Sequence, residues 1–151
     1  MSPDNITQIR KLSQLYAYTS IQMHETVARK AGLSGTDHKY LGFLMEKGQM
    51  TAGELATLTG LTTGAVTGLI DRFEKKNLVS RHFDENDRRK VFIKPNTEHI
   101  LALLTPLYAD FRSKSEQLTA SFTEKEINII ACYLSKSINL MDEAIHQLNN
   151  Q

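Results

Sequence analysis

The sequence predicts a mainly α-helical fold with one small β-hairpin past its middle. Three patterns predict it. Apolar residues recur at helical spacing in four stretches before residue 77. The period then switches to two over 79–83 and 91–94, on either side of a polar loop. Two further helical stretches follow, the last of which repeats its apolar positions at spacings of four and three. At 151 residues and 17.1 kDa, one such unit can bury about 69% of its unfolded surface, enough for a core without metal or disulfide support.

The first helix is expected from about Ile6 to Lys30, with Ile6, Ile9, Leu12, Leu15, Tyr16, Met23 and Val27 in helical register and Gly32 just past its end. Ser34-Gly35-Thr36-Asp37 has the form of a capping box and opens a second helix that stops near Gly48. Thr51-Ala52-Gly53-Glu54 repeats that form ahead of a short third helix ending around Gly60. The fourth begins at Thr62 or Thr63 and runs to about Lys76, with Asn77 as its stop. Val79 to Phe83 and Val91 to Lys94 alternate as strands, and Pro95 closes the second. The fifth helix, about Thr97 to Leu118, contains Pro106, which should bend it. Thr123-Glu124-Lys125-Glu126 caps the sixth, about Glu124 to Leu148.

Ile127, Ala131, Leu134, Ile138, Met141, Ile145 and Leu148 make a seam of three heptads on the sixth helix. Two coverings fit it: the chain's own first and fifth helices, or a second copy of the chain. Three long apolar helices carry more stripe than one short central unit can cover, which favours a homodimer. Its expected interface is Ile6, Ile9 and Leu12 of the first helix with Ile127, Leu134, Ile138, Met141 and Ile145 of the sixth.

Composition excludes several classes. The single cysteine, Cys132, rules out an internal disulfide framework and a Cys-pair zinc site. The N-terminus has no signal-peptide form, and the longest uncharged run, Leu55 to Ile70, is too short and too Thr- and Gly-rich to span a bilayer. No membrane partner is expected, and a cytoplasmic location is. No Gly-rich phosphate loop, nucleophile elbow or paired-histidine zinc motif is present, so no enzyme is expected. The net charge of +1 conceals an asymmetry: residues 62–94 carry +3 and residues 95–151 carry −3. A basic middle and an acidic tail suit a surface facing a polyanion.

That middle reads as a helix-turn-helix. Ala56 is small where two helices cross, Gly60 supplies the turn, and Leu55, Leu61, Val66 and Leu69 form the shared core. On the fourth helix Val66, Leu69, Ile70 and Phe73 form the inner stripe, leaving Gly64, Thr67, Gly68, Asp71, Arg72 and Lys75 outward. Thr, Gly and Arg on an exposed face suit a helix in a major groove. Two glycines, each costing about 1 kcal/mol inside a helix, fit close approach to a partner. The hairpin tip, Asp87-Arg88-Arg89-Lys90, places three positive charges where a ribbon can reach phosphates or a minor groove.

Leu61 to Val79, then Arg81, then Asp84 to Arg89 resembles the winged helix-turn-helix of MarR-type bacterial transcription regulators, with the Asp-x-Arg wing element present as Asp87 and Arg89. The resemblance extends over nearly the whole chain. It implies a winged helix-turn-helix at about 34–95, flanked by helical dimerisation regions at about 1–33 and 96–151. The implied function is a homodimer on a pseudo-palindromic stretch of double-stranded DNA, usually a repressor released by a small molecule or oxidant. Carried onto these positions, Thr62, Thr63, Gly64, Thr67 and Gly68 start the recognition helix in the groove. Arg72 and Lys75 lie farther along toward phosphates, Arg88 and Arg89 sit at the wing with Asp87 orienting Arg89, and Thr51 heads a helix N-terminus able to hold a phosphate. Gly64 and Gly68 stand where many relatives carry Arg or a long polar side chain, which shifts readout toward threonine methyls, the wing and DNA shape.

The resemblance also implies an effector pocket lined from the first, second and fifth helices, here Met23, His24, His38, Tyr40 and Tyr108, suited to a small aromatic ligand. A zinc site of the kind some relatives hold is not expected, because Tyr108 to Arg112 contains no histidine, and no cofactor is implied. Cys132 raises an alternative, a redox-responsive regulator, but its apolar flanks predict a packed, unreactive thiol. The remaining alternative is a helical scaffold that binds only protein.

Overall fold

The computed structural model describes residues 3–84 and 91–150. Its elements run α1 (Pro3–Lys30), α2 (Gly35–Lys47), β1 (Met50–Thr51), α3 (Ala52–Thr59), α4 (Thr63–Lys75), β2 (Val79–Phe83), β3 (Val91–Pro95), α5 (Thr97–Ala120) and α6 (Glu124–Asn149). The chain divides into two compact units, Met1–Tyr108 and Ala109–Gln151, and α5 contributes to both. The first unit takes in α1 and the start of α5 along with the region about 34–95.

The helix ends are set by local chemistry. After α1, Leu33 N–H bonds to Ala28 C=O (2.8 Å) and Gly32 N–H to Arg29 C=O (3.1 Å), a Schellman turn made possible by Gly32 at φ 71°. The same pair of bonds closes α4, from Leu78 to Phe73 (2.9 Å) and from Asn77 to Glu74 (2.9 Å), with Asn77 as the left-handed residue at φ 55°. Thr51 and Glu54 form the full reciprocal box at the head of α3, as Thr123 and Glu126 do for α6. At α2 only half of the expected box forms. Ser34 Oγ accepts from Asp37 N–H (3.0 Å), but the Asp37 carboxylate does not return to the cap. Aspartate is one methylene shorter than glutamate, and its carboxylate has another partner, described below. α5 runs on as a helix through Pro106.

β2 and β3 pair antiparallel from Val79↔Pro95 to Phe83↔Val91, and the sheet has a third strand that no sequence period announced. β1 adds to β3 antiparallel through Met50↔Ile93 and Thr51↔Phe92, giving the order β1-β3-β2. The core of the first unit gathers side chains from each of its main elements. Leu41 and Leu44 of α2, Leu55 of α3, Val66, Leu69, Ile70 and Phe73 of α4, Leu78, Ile93 of β3 and Ile100 of α5 are fully buried there.

In the second unit the pattern reverses. α6 has no buried residue, and Leu134, Ile138, Met141 and Ile145 are each between 48% and 56% exposed. Ile127 alone of the expected interface residues on α6 is half-buried. Near the start of the chain, Ile6, Ile9 and Leu12 of α1 are between 49% and 55% exposed. Cys132 corrects the expectation of a packed thiol: it is exposed, and the residues one helical turn away on its face, Asn128, Ile129, Ser135 and Lys136, are mostly polar. Among the described residues, no helix is long and apolar enough to cross a membrane.

Candidate nucleic-acid interface

The expected helix-turn-helix is α3, the turn at Gly60 and α4. Gly60 sits in the left-handed region at φ 70° and gives its N–H to Ala56 C=O (2.9 Å), so the chain leaves α3 sharply. Thr59 donates its hydroxyl to Leu55 C=O (2.7 Å) and accepts from Leu61 N–H (3.3 Å), stiffening the turn. Thr62 then caps α4, its hydroxyl accepting from Ala65 N–H (3.3 Å). Ala56 and Leu61 pack against the core as the crossing requires.

α4 divides as its spacing predicts. Val66, Leu69, Ile70 and Phe73 are buried, while Thr63, Gly64, Thr67, Arg72 and Lys75 are exposed and Gly68 is half-covered. Thr67 donates its hydroxyl to Thr63 C=O (3.0 Å), which restricts its rotamer on this exposed face. A Cβ built on Gly64 would meet nothing within 4 Å, so this position is open rather than required small by the chain itself. At Gly68 the Cβ would lie 3.7 Å from Arg72 Nη1.

Three charged residues of α4, Asp71, Arg72 and Glu74, pair with neighbouring elements. Arg72 reaches α2, donating through Nη2 to Asp37 Oδ1 (2.9 Å) and through Nε to Asp37 Oδ2 (3.3 Å), which raises its pKa further. One residue earlier, Asp71 accepts from Arg81 of β2 (2.6 Å), and Arg81 also donates to Glu74 of α4. Consecutive residues on a helix point about 100° apart, so Asp71 and Arg72 brace α4 toward β2 on one side and α2 on the other. Sequence reasoning placed Arg72 on the outward face and missed both Asp37 and the role of Arg81. Thr51, expected at a phosphate-holding helix start, gives its N–H (2.6 Å) and hydroxyl (2.9 Å) to Glu54 and takes Glu54 N–H in return. Those bonds hold the Glu54 carboxyl below its ordinary range. Asp87, Arg88 and Arg89 lie outside the described residues.

A second cluster joins three of the five residues expected to line an effector pocket. Tyr108 Oη lies 2.5 Å from His24 Nδ1 and 3.2 Å from His38 Nε2, and the two imidazoles stack with centroids 5.8 Å apart. One hydroxyl can donate to one ring nitrogen and accept from the N–H of the other, so the three side chains form a polar relay. Burial holds His38 below its ordinary 6.5, with His24 adding to the push, and burial raises Tyr108. Met23 is half-buried, and Tyr40 stands apart from the relay, its ring centroid 6.3 Å from that of Phe43 and its side chain against the core. Among the described residues no group of three or more His, Cys, Asp or Glu is placed to hold a metal.

A profile of the MarR family matches residues 31–90, the stretch from the α1–α2 turn through α4 to the wing. The chain is also 40% identical over 132 residues to the uncharacterized HTH-type transcriptional regulator YcgE of Bacillus subtilis strain 168, covering 85% of this chain and 83% of that one. The chain belongs to the MarR family. The fold agrees with other MarR proteins. A MarR family protein from Bacillus stearothermophilus superimposes with a TM-score of 0.73 at 23% identity, over 94% of this chain and 99% of its own. A point mutant of MepR from S. aureus, solved bound to an oligodeoxyribonucleotide, gives 0.60 at 21% identity, over 88% and 97%. The winged helix-turn-helix read from the sequence is thus the MarR winged helix, with β1 as the added strand.

Proposed function

We propose that this MarR-family chain works as a homodimeric repressor that binds a pseudo-palindromic operator through α4 and is released by a small, mostly aromatic effector. The observation that carries the reading is the division of α4: one stripe locked in the core, the other presenting Thr63, Gly64, Thr67 and Gly68 with no bulky side chain among them. A smooth helix of this kind sits deep in a major groove and reads by threonine methyls and backbone proximity. MepR, whose fold this chain shares, has been solved with DNA. The half-exposed apolar faces of α1 and α6 supply what a second copy would cover, and dimerisation sets two α4 helices at the spacing a twofold site requires. The His24–Tyr108–His38 relay supports the effector part: paired aromatic surface with a few polar handles suits an aromatic acid.

Selection of duplexes from a random library, followed by footprinting, tests the reading. Enrichment of a twofold site with half-sites about 34–36 Å apart is expected. A chain that enriches no duplex, and that leaves a heparin column at low salt, is a protein-binding scaffold instead. For the effector, salicylate-like acids are screened by thermal shift and hits titrated with and without the selected duplex. Linkage requires the duplex to weaken effector binding by the same factor that the effector weakens DNA binding, about 5- to 150-fold. Equal binding to free and DNA-bound protein removes the effector from the reading and leaves the rest.

A further inference from the structure

We propose that Asp37 is a positioning residue for DNA recognition, resting on the DNA-binding reading above: its carboxylate clamps Arg72 and so fixes the angle at which α4 is presented. Two features build the clamp, and a third shows the path that Arg72 takes to it. The Asp37 side chain is only 13% exposed, and it engages Arg72 through both carboxylate oxygens, a fork that restricts rotation as a single contact does not. Asp37 occupies the third position of α2, where the equivalent Glu54 of α3 and Glu126 of α6 both turn back to close their capping boxes. Asp37 alone of these three faces away from its own cap and toward another helix. Finally, a long side chain on a helix runs back over the preceding turn, which places the Arg72 guanidinium beside Gly68. A Cβ at Gly68 would stand 3.7 Å from Arg72 Nη1, an ordinary contact, so Arg72 crosses to α2 alongside Gly68 without depending on the missing side chain. With Arg81 holding Asp71 from the other side, α4 is fixed against rolling about its axis.

This assigns Arg72 a different duty from a phosphate contact, and the two are separable by salt. The test uses the full-length chain and the tightest duplex selected by the wild type, with dissociation constants measured between about 50 and 200 mM salt. Asp37→Asn should weaken binding about 2- to 30-fold, the usual range for residues that act through another element, with the slope of log Kd against log salt unchanged. Arg72→Gln should weaken it similarly, and the double variant should be no worse than the weaker single variant, because the two residues act as one unit. Asp37→Glu, which keeps the charge and the fork, should recover at least part of the loss, an outcome that a general loss of stability does not produce.

Three results overturn the proposal: Asp37→Asn binding as wild type; Asp37→Asn binding more tightly with a slope steeper by about 1, meaning Asp37 merely restrains a phosphate-binding arginine; or Arg72→Gln alone lowering the slope by about 1. Should Asp37→Asn fail to fold, Arg72→Lys decides instead. It retains the positive charge but cannot fork, so weakened binding supports the clamp where Arg72→Gln also leaves the slope unchanged, and wild-type binding overturns it. If the wild type enriches no duplex at all, the DNA-binding reading falls first and the clamp's role with it, a result distinct from an enriched duplex that the variants bind normally.

Discussion

His38 shows how a single side chain ties stability to pH. Its imidazole is held below 6.5 by burial and by His24, so the folded state prefers it neutral. A group whose folded pKa is depressed contributes its stability above the unfolded value and loses it as pH falls through the folded value. His38→Gln removes that dependence while keeping a polar side chain. Thermal melts of wild type and variant should therefore converge, or cross, as pH is lowered from about 7.5 to 5.5, with the wild type losing more. A constant difference across that range would mean that His38 does not titrate with folding. Phe73 is the plainer case. It is fully buried at the closing turn of α4, and its carbonyl takes Leu78 N–H. Phe73→Ala should cost about 3–5 kcal/mol in urea unfolding.

Elements were legible wherever their determinants lie within a few residues of one another. The stripes of α4 follow from period alone, and the Thr62 cap from one hydroxyl and one N–H three residues on. Thr62→Ala should accordingly cost about 1 kcal/mol, measured by chemical unfolding without DNA. What stayed illegible is what the chain assembles across distance. β1 is two residues long and is a strand only because β3 arrives much later in the chain to pair with it. The bond between Asp37 and Arg72 spans 35 positions. Its one local trace was the aspartate standing where the capping box favours glutamate. Cys132 failed for another reason: Ala131 and Tyr133 flank it in sequence, but on a helix its face is shared with Asn128, Ile129, Ser135 and Lys136, which are mostly polar.

At the scale of the whole molecule, the proposed dimer is tested at the half-exposed faces of α1 and α6. If a second copy covers them, Leu134 and Ile138 become interface core. Replacing both with Asp then places unpaired charges in that core, at several kcal/mol each, and sedimentation should show monomer or unfolded chain. A folded double variant that remains a dimer of wild-type affinity removes α6 from the interface.

Thr51 belongs to two structures at once: it pairs with Phe92 of β3 and it caps α3. Proteins open locally in cooperative units that often coincide with supersecondary motifs. Pulling β3 away from β1 frees the backbone that α3 needs for its first turn, so the ribbon and the helix-turn-helix should breathe as one body rather than as two. Native-state hydrogen exchange can read this directly. The amides of Ile93 and of the first α3 residues that are protected should share one opening free energy and one response to denaturant. Strain applied to the β2–β3 ribbon would then be felt at α3 without any hinge between them, and a Thr51→Pro replacement, which deletes the N–H given to Glu54 and the capping hydroxyl together, should split that single exchange unit in two.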